Sequence, residues 1–315
     1  MMTKSNCARW LQGQDNYLIL THRRPDGDTL GSAAFLCRML RAMGKTAHIL
    51  KNGEITPKYA NLHQGLTVEE ALPEHTLVCV DVASPDMIPE SFRPLLPRIS
   101  LRIDHHATAD PFTPLALVEP EAAACGEILF DLMGILQIPM DKAMAEALYT
   151  AVSTDTGCFR YANTTAHSFL TAAACAQAGG DLHGINQAIF DTNSLARLRI
   201  QGWLVENARF YAGGKVAVCP LPKSVERGIG VTEDDMENIS GFPRSIEGVQ
   251  IAATLRETDD AVKVSVRALP GFDAGAVCAQ FGGGGHKGAA GASMKMSLEE
   301  AAQAVTNAIL ETVKP

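Results

Sequence analysis

Residues 16–44, NYLILTHRRPDGDTLGSAAFLCRMLRAMG, decide the fold of the first part of the chain. NYLILTH predicts a short buried strand, and the apolar spacing of TLGSAAFLCRMLRAMG predicts an amphipathic helix that ends at Gly44. His22, Asp26 and Asp28 lie where the strand gives way to the helix. An imidazole and two carboxylates in such a turn can face one spot or two adjacent metal ions. The alternative interpretation is that Asp28 caps the helix.

The alternation of strand and helix continues through the first two-thirds of the chain. Residues 76–82 and 98–104 predict two more short apolar strands, and residues 119–137, 141–157 and 164–180 predict helices. This rhythm indicates an α/β fold with a mostly parallel sheet flanked by helices. Ligands of such sheets bind at the carboxyl ends of the strands, so we expect the active site there.

The last third of the chain follows a different pattern. We interpret residues 194–211 as one long helix without a strand partner that connects two domains. The remainder indicates a smaller α+β domain, and we expect the active-site cleft between the two domains. Its predicted strands are 215–221, 249–257 and 261–269, and its predicted helices lie near 232–240, 273–281 and 298–313. The predicted boundaries are 1–192, 193–212 for the connecting helix, and 213–315.

Two further acidic positions follow predicted strands. Asp81 ends an apolar strand, where a buried charge needs a partner or a cation because an unpaired one is costly. The alternative is a cap for the turn that follows. Asp104, His105 and His106 follow the next strand. One imidazole can bind a metal while the acid orients a ring, and the other imidazole can meet a phosphate or protonate a leaving group. An ordinary surface His-His pair is the alternative.

A fourth motif, STDTGCFRY, contains Asp155 at the end of a predicted helix. The helix dipole disfavours a negative charge at this end, and a cation would resolve the conflict. Arg160, five residues later, offers a guanidinium for a phosphate. A plain helix end at Gly157 explains the glycine without any function, but it does not explain the acid.

The glycine-rich segment FGGGGHKGAAG, residues 281–291, is the unusual feature of the second domain. Glycines permit close approach of a ligand to the backbone, and His286 can add a contact to phosphate or ribose. Arg267, at the end of a predicted strand, is a candidate partner for the same anion. A flexible linker is the alternative. The candidate substrate contacts here are Arg267, Gly283, Gly284, Gly285 and His286.

Composition limits the chemistry of these motifs. The chain has eight cysteines without a C-x-x-C pair, which argues for a reducing compartment and against a thiolate zinc site. Carboxylates with imidazoles suit Mn²⁺ or Mg²⁺, with Fe²⁺ or Co²⁺ as alternatives. Two such ions can activate a bridging water for phosphoryl displacement. The predicted metal ligands are His22, Asp26, Asp28, Asp81, His105 and Asp155.

The net charge of −8 argues against tight binding to long nucleic acid.

HRRPDGD, VDVASPD, IDHH and TDTGCFRY, in this order, resemble the four motifs of the DHH phosphoesterases, and FGGGGHKGAAG resembles their DHH-associated C-terminal domain. The resemblance spans about residues 16–291 and is closest to the two-domain oligoribonuclease (nanoRNase) and pAp phosphatase type. It implies a catalytic domain over 1–192 and a substrate-binding domain over 213–315.

The resemblance also implies a role for each candidate residue. His22 and Asp26 would hold one metal ion, Asp28, His105 and Asp155 the other, and Asp81 would bridge the two. Asp104 would contact a metal-binding side chain without binding the metal itself, and His106 would approach the phosphate or act as general acid. Arg267, His286 and the glycine-rich loop would bind the far end of a nucleotide.

The implied activity is hydrolysis of short oligoribonucleotides and of 3′-phosphoadenosine 5′-phosphate (pAp). Cleavage of cyclic dinucleotides or their linear products is the alternative within the family, and a non-catalytic nucleotide sensor is the alternative of another class. A RecJ-type DNA exonuclease and an inorganic pyrophosphatase are disfavoured. We expect a cytoplasmic protein with no membrane or long duplex partner, because residues 1–17 lack a signal-peptide core and no apolar run spans a membrane. A homodimer is left open.

Overall fold

The structure is a computed structural model that describes residues 1–107, 111–236 and 238–312. Contacts between Cα atoms divide the chain into a first unit, Met1–Thr192, and a second unit, Asn193–Pro315. Among the helices of the described residues, none has both the length and the apolar character needed to cross a lipid bilayer.

The first unit is built on a parallel sheet, which confirms the predicted α/β class. Its strands are β1 (Tyr17–Leu20), β2 (Ala47–Leu50), β3 (Thr67–Val68), β4 (Thr76–Val80), β5 (Ile99–Asp104) and β6 (Leu115–Val118). Its α-helices within the described residues are α1 (Lys4–Gly13), α2 (Gly27–Ala42), α3 (Cys125–Leu136), α4 (Lys142–Asp155), α5 (Ala166–Gln177) and α6 (Leu182–Asn186). Three of the strands, β2, β3 and β6, were not predicted from the sequence.

Alternate residues of β1 face two different cores. Tyr17 and Ile19 pack with the buried faces of the α-helices, whereas Leu18 and Leu20 pack in a smaller cluster with Ile88 and neighbouring apolar side chains. Several of those neighbours belong to short 3₁₀ segments between β4 and β5. Both faces of the sheet are therefore covered, as expected for parallel strands.

The strand order of this sheet, β3-β2-β1-β4-β5-β6, defines where a ligand can bind. Successive strands run outward from β1 to β3 on one side, and the chain then crosses to β4 on the other side. The order thus reverses between β1 and β4. In open α/β sheets the crevice beyond the carboxyl ends of the strands at such a switch point is the usual ligand site.

The second unit contains a mixed sheet in the order β11-β12-β10-β9-β8-β7. Its strands are β7 (Arg209–Tyr211), β8 (Val216–Leu221), β9 (Ile251–Glu257), β10 (Val262–Ala268), β11 (Gly284–Gly285) and β12 (Ala289–Met294). Its α-helices within the described residues are α7 (Leu195–Glu206), α8 (Lys223–Ile229), α9 (Ala274–Ala279) and α10 (Leu298–Thr312). Helix α10 packs on β8 and β9 and closes the core of this unit.

Two predicted helices of this region differ from the structure. The helix predicted over 194–211 ends at Glu206, and residues 209–211 form the edge strand β7, which pairs antiparallel with β8. Aromatic side chains at Phe210 and Tyr211 favour a strand there, although the helical spacing continues through them. The helix predicted near 232–240 was also wrong for its described residues, which form turns up to the start of the 3₁₀ segment Ile239–Ser245.

Candidate metal centre

The predicted ligands of the first unit come together at the switch point. His22, Asp26 and Asp28 follow β1, Asp81 follows β4, and His105 follows β5. The remaining predicted ligand, Asp155, is the last residue of α4. In this part of the described chain three groups of side chains have atoms close enough to hold a metal ion. They are His22 with Asp26 and Asp81, Asp28 with His105 and Asp155, and Asp81 with His105 and His106.

Asp26 and Asp28 have different roles at the start of α2. The N-cap of the helix is Asp26, whose Oδ1 accepts the backbone N–H groups of Asp28 and Thr29 at 3.1 and 3.2 Å. The alternative interpretation that Asp28 is the cap is therefore wrong. The side chain of Asp28 instead accepts the backbone N–H groups of Cys125 (2.7 Å) and Gly126 (3.2 Å), at the start of α3. Helix N-terminal amides stabilise a carboxylate, so α3 holds Asp28 in place.

Asp81 lies between two imidazoles. Its Oδ2 is 3.5 Å from Nε2 of His22, and its Oδ1 is 3.5 Å from Nε2 of His105. Its backbone has φ +57°, in the left-handed region that non-glycine residues rarely adopt, while its N–H is bound by the Ile103 carbonyl at 2.9 Å. A strained residue persists only where its surroundings hold it, and such residues concentrate at functional sites. Asp81 does not cap the following turn, which begins at Ser84.

Backbone carbonyls set the orientation of both imidazoles. Nδ1 of His22 donates to the Arg23 carbonyl at 2.7 Å, and Nδ1 of His105 donates to the Ala122 carbonyl at 3.1 Å. Each ring therefore turns its Nε2 toward carboxylates. For His105 these include Asp28 at 3.7 Å and Asp155 at 3.6 Å. A neutral Nε2 has a lone pair facing negative oxygens, an arrangement that a proton or a metal ion relieves.

The pKa values of four side chains in this cluster are raised, as expected where buried carboxylates lie close together without a bound cation. Burial lowers the pKa of both imidazoles, but hydrogen bonds and charges of the neighbouring carboxylates outweigh it and raise the pKa of His22 to about 11 and of His105 to about 10. Burial, together with the charge of Asp81, raises the pKa of Asp28 well above its usual range and that of Asp155 to about 6. Excess carboxylate charge is thus held by imidazolium groups and protons, which divalent ions would displace on binding.

The donor set fits divalent cations that prefer oxygen and imidazole. Besides Asp81, the group of His22 and the group of Asp28 together provide three carboxylates and two imidazoles, and one oxygen of the Asp81 carboxylate faces each imidazole. Among the described cysteines, Cys125 lies near Asp28 but is fully buried, and burial raises the pKa of its thiol well above the usual value. Hard oxygen ligands without a thiolate favour ions such as Mn²⁺ or Mg²⁺.

Asp104 and His106 form a second pair beside the ligand groups. Oδ1 of the fully buried Asp104 accepts Nδ1 of His106 at 2.8 Å and the backbone N–H of His105 at 2.9 Å. This hydrogen bond raises the pKa of His106. Because Nδ1 faces Asp104, the Nε2 of this half-exposed ring is the nitrogen available to a substrate.

Supporting contacts that the sequence did not predict complete the site. Asn52 is buried and donates to the His22 carbonyl at 2.9 Å and to Oγ1 of Thr21 at 3.0 Å. The hydroxyl of Ser32 donates to Oδ1 of Asp28 at 2.9 Å. Neither residue lies in a distinctive sequence pattern. Their roles are visible only in the folded structure, where Asn52 lies beside the end of β1 and Ser32 lies one turn after Asp28 on α2.

Arg160 lies after a left-handed turn that follows Asp155. Gly157, Cys158 and Phe159 have φ values of +58°, +57° and +62°, and Nε of Arg160 donates to the Gly157 carbonyl at 2.7 Å. Two non-glycine residues in succession with positive φ indicate a turn that the surrounding structure imposes. The side chain of Arg160 is exposed.

The glycine-rich segment of the second unit forms a tight antiparallel pair. β11 contributes Gly284 and Gly285, which lie opposite Gly291 and Ala290 of β12. A methyl group at Gly283 would lie 2.2 Å from the Gly291 carbonyl oxygen, and one at Gly285 would lie 2.6 Å from the carbonyl oxygen of residue 289. Two of these glycines are therefore required by strand packing, whereas a methyl group at Gly284 meets nothing within 4 Å.

Arg267 and His286 are close to the same turn. Arg267 on β10 lies directly opposite Ala289 on β12. The backbone of His286 forms hydrogen bonds with the backbone of Ala289 and so closes the turn. The exposed ring of His286 and the partly buried Arg267 thus flank residues 286–289 within the second unit.

Two glycine substitutions should separate packing from any other role in this segment. We expect Gly283→Ala to destabilise the second unit by about 2–3 kcal/mol, because its new methyl group overlaps backbone atoms of β12. Gly284→Ala should leave the unfolding temperature nearly unchanged, because its methyl group meets no atom within 4 Å. Calorimetry of both variants tests this, and equal destabilisation would show that the β11–β12 pairing is not as described.

Comparisons with known proteins agree with this fold and site. The model of the DHH family, N-terminal domain, matches residues 16–152, and the DHHA1 domain matches residues 213–314. The bifunctional oligoribonuclease and PAP phosphatase NrnA of Thermus thermophilus is 31% identical over 300 residues, which are 93% of this chain and 89% of that protein. The chain therefore belongs to the DHH family of phosphoesterases, and it is a hydrolase that acts on phosphoester bonds.

Two further relatives match most of the chain. The protein of the same name from Bacillus subtilis is 26% identical over 92% of this chain and 93% of its own length. The cyclic-di-AMP phosphodiesterase PdeA of Listeria monocytogenes is 25% identical over 94% of this chain, but only 47% of its own length is matched.

Solved structures share the fold. An exopolyphosphatase-related protein from Bacteroides fragilis has a TM-score of 0.88 at 24% identity, covering 98% of this chain and 96% of its own. A structure of the exonuclease RecJ bound to manganese has a TM-score of 0.52 at 14% identity, covering 100% of this chain and 95% of its own.

Proposed function

We propose that this protein hydrolyses short oligoribonucleotides to mononucleotides, and pAp to AMP, with two divalent ions at the metal centre. The observation that carries the proposal is the Asp81 carboxylate, whose two oxygens face the imidazoles of two different ligand groups. Relatives at 31% and 26% identity carry the name of this activity, which supports the substrate class. Mn²⁺ is the proposed ion, with Mg²⁺, Co²⁺ or Fe²⁺ as alternatives.

In this proposal His22 and Asp26 would hold one ion, Asp28, His105 and Asp155 would hold the other, and Asp81 would contact both. When bound, the two ions would provide an activated water and neutralise the charge of the phosphate. The carbonyl contacts of the two imidazoles and the α3 amides on Asp28 keep the ligands oriented before the ions arrive.

The remaining proposed roles concern the substrate. Arg160 in the first unit, and Arg267, Gly284 and His286 in the second, are the proposed contacts to phosphate and ribose, with Gly283 and Gly285 shaping the loop. Residues 1–192 would form the catalytic domain and residues 213–315 the substrate-binding domain. The segment 193–212 between them contains the helix α7 (Leu195–Glu206) and the strand β7 (Arg209–Tyr211).

His106 is the proposed general acid. Asp104 accepts its Nδ1–H and raises its pKa, so that Nε2 carries a proton that can pass to the leaving oxygen of a nucleotide. Asp104 acts through this ring as a positioning residue and contacts no reacting atom.

We expect His106→Gln to lower kcat on an RNA dinucleotide by roughly 10²-fold, because general acid catalysis typically contributes 10²–10⁴-fold. The loss should be much smaller on bis(p-nitrophenyl) phosphate, whose leaving group needs no proton. The exposed His183 provides the matched control, since His183→Gln should change neither rate. A comparable loss on both substrates, together with weakened Mn²⁺ binding, would instead make His106 a metal ligand.

The proposed substrate class is tested by incubating the full chain with Mn²⁺ and four labelled substrates in parallel. They are an RNA dinucleotide, a 24-residue RNA, pAp and a cyclic dinucleotide, each with an EDTA-treated control. We expect rapid metal-dependent cleavage of the dinucleotide and of pAp, and slow cleavage of the long RNA.

Other outcomes would redirect the proposal. Preferred cleavage of the cyclic dinucleotide would favour the activity named for the Listeria relative. The proposed substrate would then be a cyclic dinucleotide and not a short oligoribonucleotide or pAp. Metal-dependent binding of the small nucleotides without hydrolysis of any of the four would contradict the proposed activity and support a nucleotide sensor.

A further inference from the structure

A cavity of about 430 Å³ lies in the first unit directly beside the segment that carries His22. Its volume falls within the ~300–1,000 Å³ range of small-ligand sites. Three of its lining residues are arginines, and the first two of them immediately follow His22 in the chain. The lining residues are Arg23, Arg24, Glu54, Ile88, Glu90 and Arg93.

The three arginines differ in how their charge is compensated. Nε of Arg93 pairs with Oε2 of Glu90 at 2.8 Å, and one of its terminal nitrogens pairs with Oδ1 of Asp86 at 3.2 Å. Within the described residues, the guanidinium groups of Arg23 and Arg24 form no ion pair or hydrogen bond. The cavity wall therefore carries two exposed guanidinium groups that form no ion pair with a described residue, together with the carboxylate of Glu54.

The backbone of this arginine pair is held in place from both sides. The Arg23 carbonyl accepts Nδ1 of His22, and the Arg23 N–H donates to the Met87 carbonyl at 2.6 Å. Arg24 has φ +48°, an unfavourable value for a non-glycine residue, and its N–H donates to Oε2 of Glu54 at 2.7 Å. One oxygen of the Glu54 carboxylate thus accepts a hydrogen bond from the backbone of the turn, and its negative charge remains in the cavity wall. Successive Cα atoms are about 3.8 Å apart. The imidazole of His22 and the guanidinium groups of Arg23 and Arg24 therefore belong to the same short turn.

We propose that this cavity binds a second phosphate of the nucleotide substrate, one that is not cleaved, through Arg23 and Arg24. The inference rests on the proposed function and adds a subsite to it. Arginine suits this role because its planar guanidinium offers paired N–H donors that match phosphate oxygens. Such a subsite selects for substrates that carry a terminal phosphate in addition to the phosphate that is cleaved. The phosphate can belong to the 5′ or to the 3′ end, and the experiment distinguishes the two.

The test compares three RNA dinucleotides, ApA, pApA and ApAp, with the full-length protein and Mn²⁺. We expect one of the two phosphorylated substrates to have a lower KM than ApA. The double variant Arg23→Gln/Arg24→Gln should raise that KM by roughly 10- to 100-fold, as expected for loss of charged hydrogen bonds. The KM for ApA should change much less. Arg9→Gln, which removes an exposed charge on α1, is the matched control and should leave all three substrates unaffected.

The outcomes separate this inference from the proposed function. Metal-dependent hydrolysis without any advantage of a terminal phosphate, or equal KM increases for all three substrates in the double variant, would overturn the subsite and leave the function standing. Hydrolysis of none of the three by the unmodified protein would overturn both. Loss of the phosphate advantage in the double variant, with its unfolding temperature unchanged, would establish the subsite.

Discussion

Asp81→Asn should lower kcat/KM on an RNA dinucleotide by roughly 10³-fold or more. Loss of a residue that merely supports a metal ligand costs 10–100-fold, and Asp81 faces both imidazoles directly. Asparagine is the appropriate replacement because it keeps the shape of the side chain and tolerates the left-handed backbone that Asp81 adopts at φ +57°. The substitution therefore removes the charge between the two groups with little disturbance of the backbone.

The matched control for this prediction is Asp86→Asn in the same VDVASPD segment. Asp86 is exposed and pairs with Arg93 on the surface, where an ion pair contributes little to stability. Steady-state rates and circular dichroism spectra of both variants decide the outcome. An Asp81→Asn protein that keeps more than about a tenth of the wild-type rate would contradict a shared role of Asp81 in two metal positions.

Gly31→Ala should destabilise the first unit by about 2–3 kcal/mol, because it overpacks the contact between α2 and α4. A methyl group at Gly31 would lie 2.4 Å from the Ala147 carbonyl oxygen and 2.8 Å from the Ala151 nitrogen, both of which are backbone atoms. The gain in helix propensity, about 1 kcal/mol, is too small to offset this overlap. For a unit of this size the unfolding temperature should fall by roughly 5–10 °C.

Gly134→Ala provides the matched control. Gly134 lies near the end of α3 and is exposed, and a methyl group added there would meet no atom within 4 Å, so the substitution should be neutral or slightly stabilising. Thermal unfolding of both variants tests the difference. Equal stability of the two variants would show that α2 and α4 are not packed this closely. Because α2 carries Asp28 and α4 carries Asp155, Gly31→Ala should also weaken Mn²⁺ binding.

The location of the site was predictable from the sequence because acids and imidazoles follow apolar strands at recognisable positions. His22, Asp81 and His105 each come just after a strand of the parallel sheet, so their meeting at one edge follows from topology alone. The grouping of individual ligands was instead implied by family resemblance. Their distances in the structure support that grouping, and the assignment of each ion stays a proposal.

Other features of the site depend on contacts that no local pattern reports. The role of Asp28 depends on amides at the start of α3, about a hundred residues along the chain, so local helix-capping rules offered Asp28 as an alternative cap although the cap is Asp26. The left-handed backbone of Asp81 arises from its position between β5 and the imidazoles, and a strand-end pattern cannot reveal it. In the second unit, β7 replaced the end of a predicted helix because pairing with β8 outweighed the helical spacing.

The most direct test of the two-ion account is anomalous diffraction from crystals of the full chain grown with Mn²⁺. The account predicts two manganese peaks, one beside His22 and Asp26 and one beside Asp28, His105 and Asp155, with the Asp81 carboxylate between them. In the Asp81→Asn variant at least one peak should be lost. A single manganese ion per chain in the unmodified protein, or ions bound away from Asp81, would contradict the account.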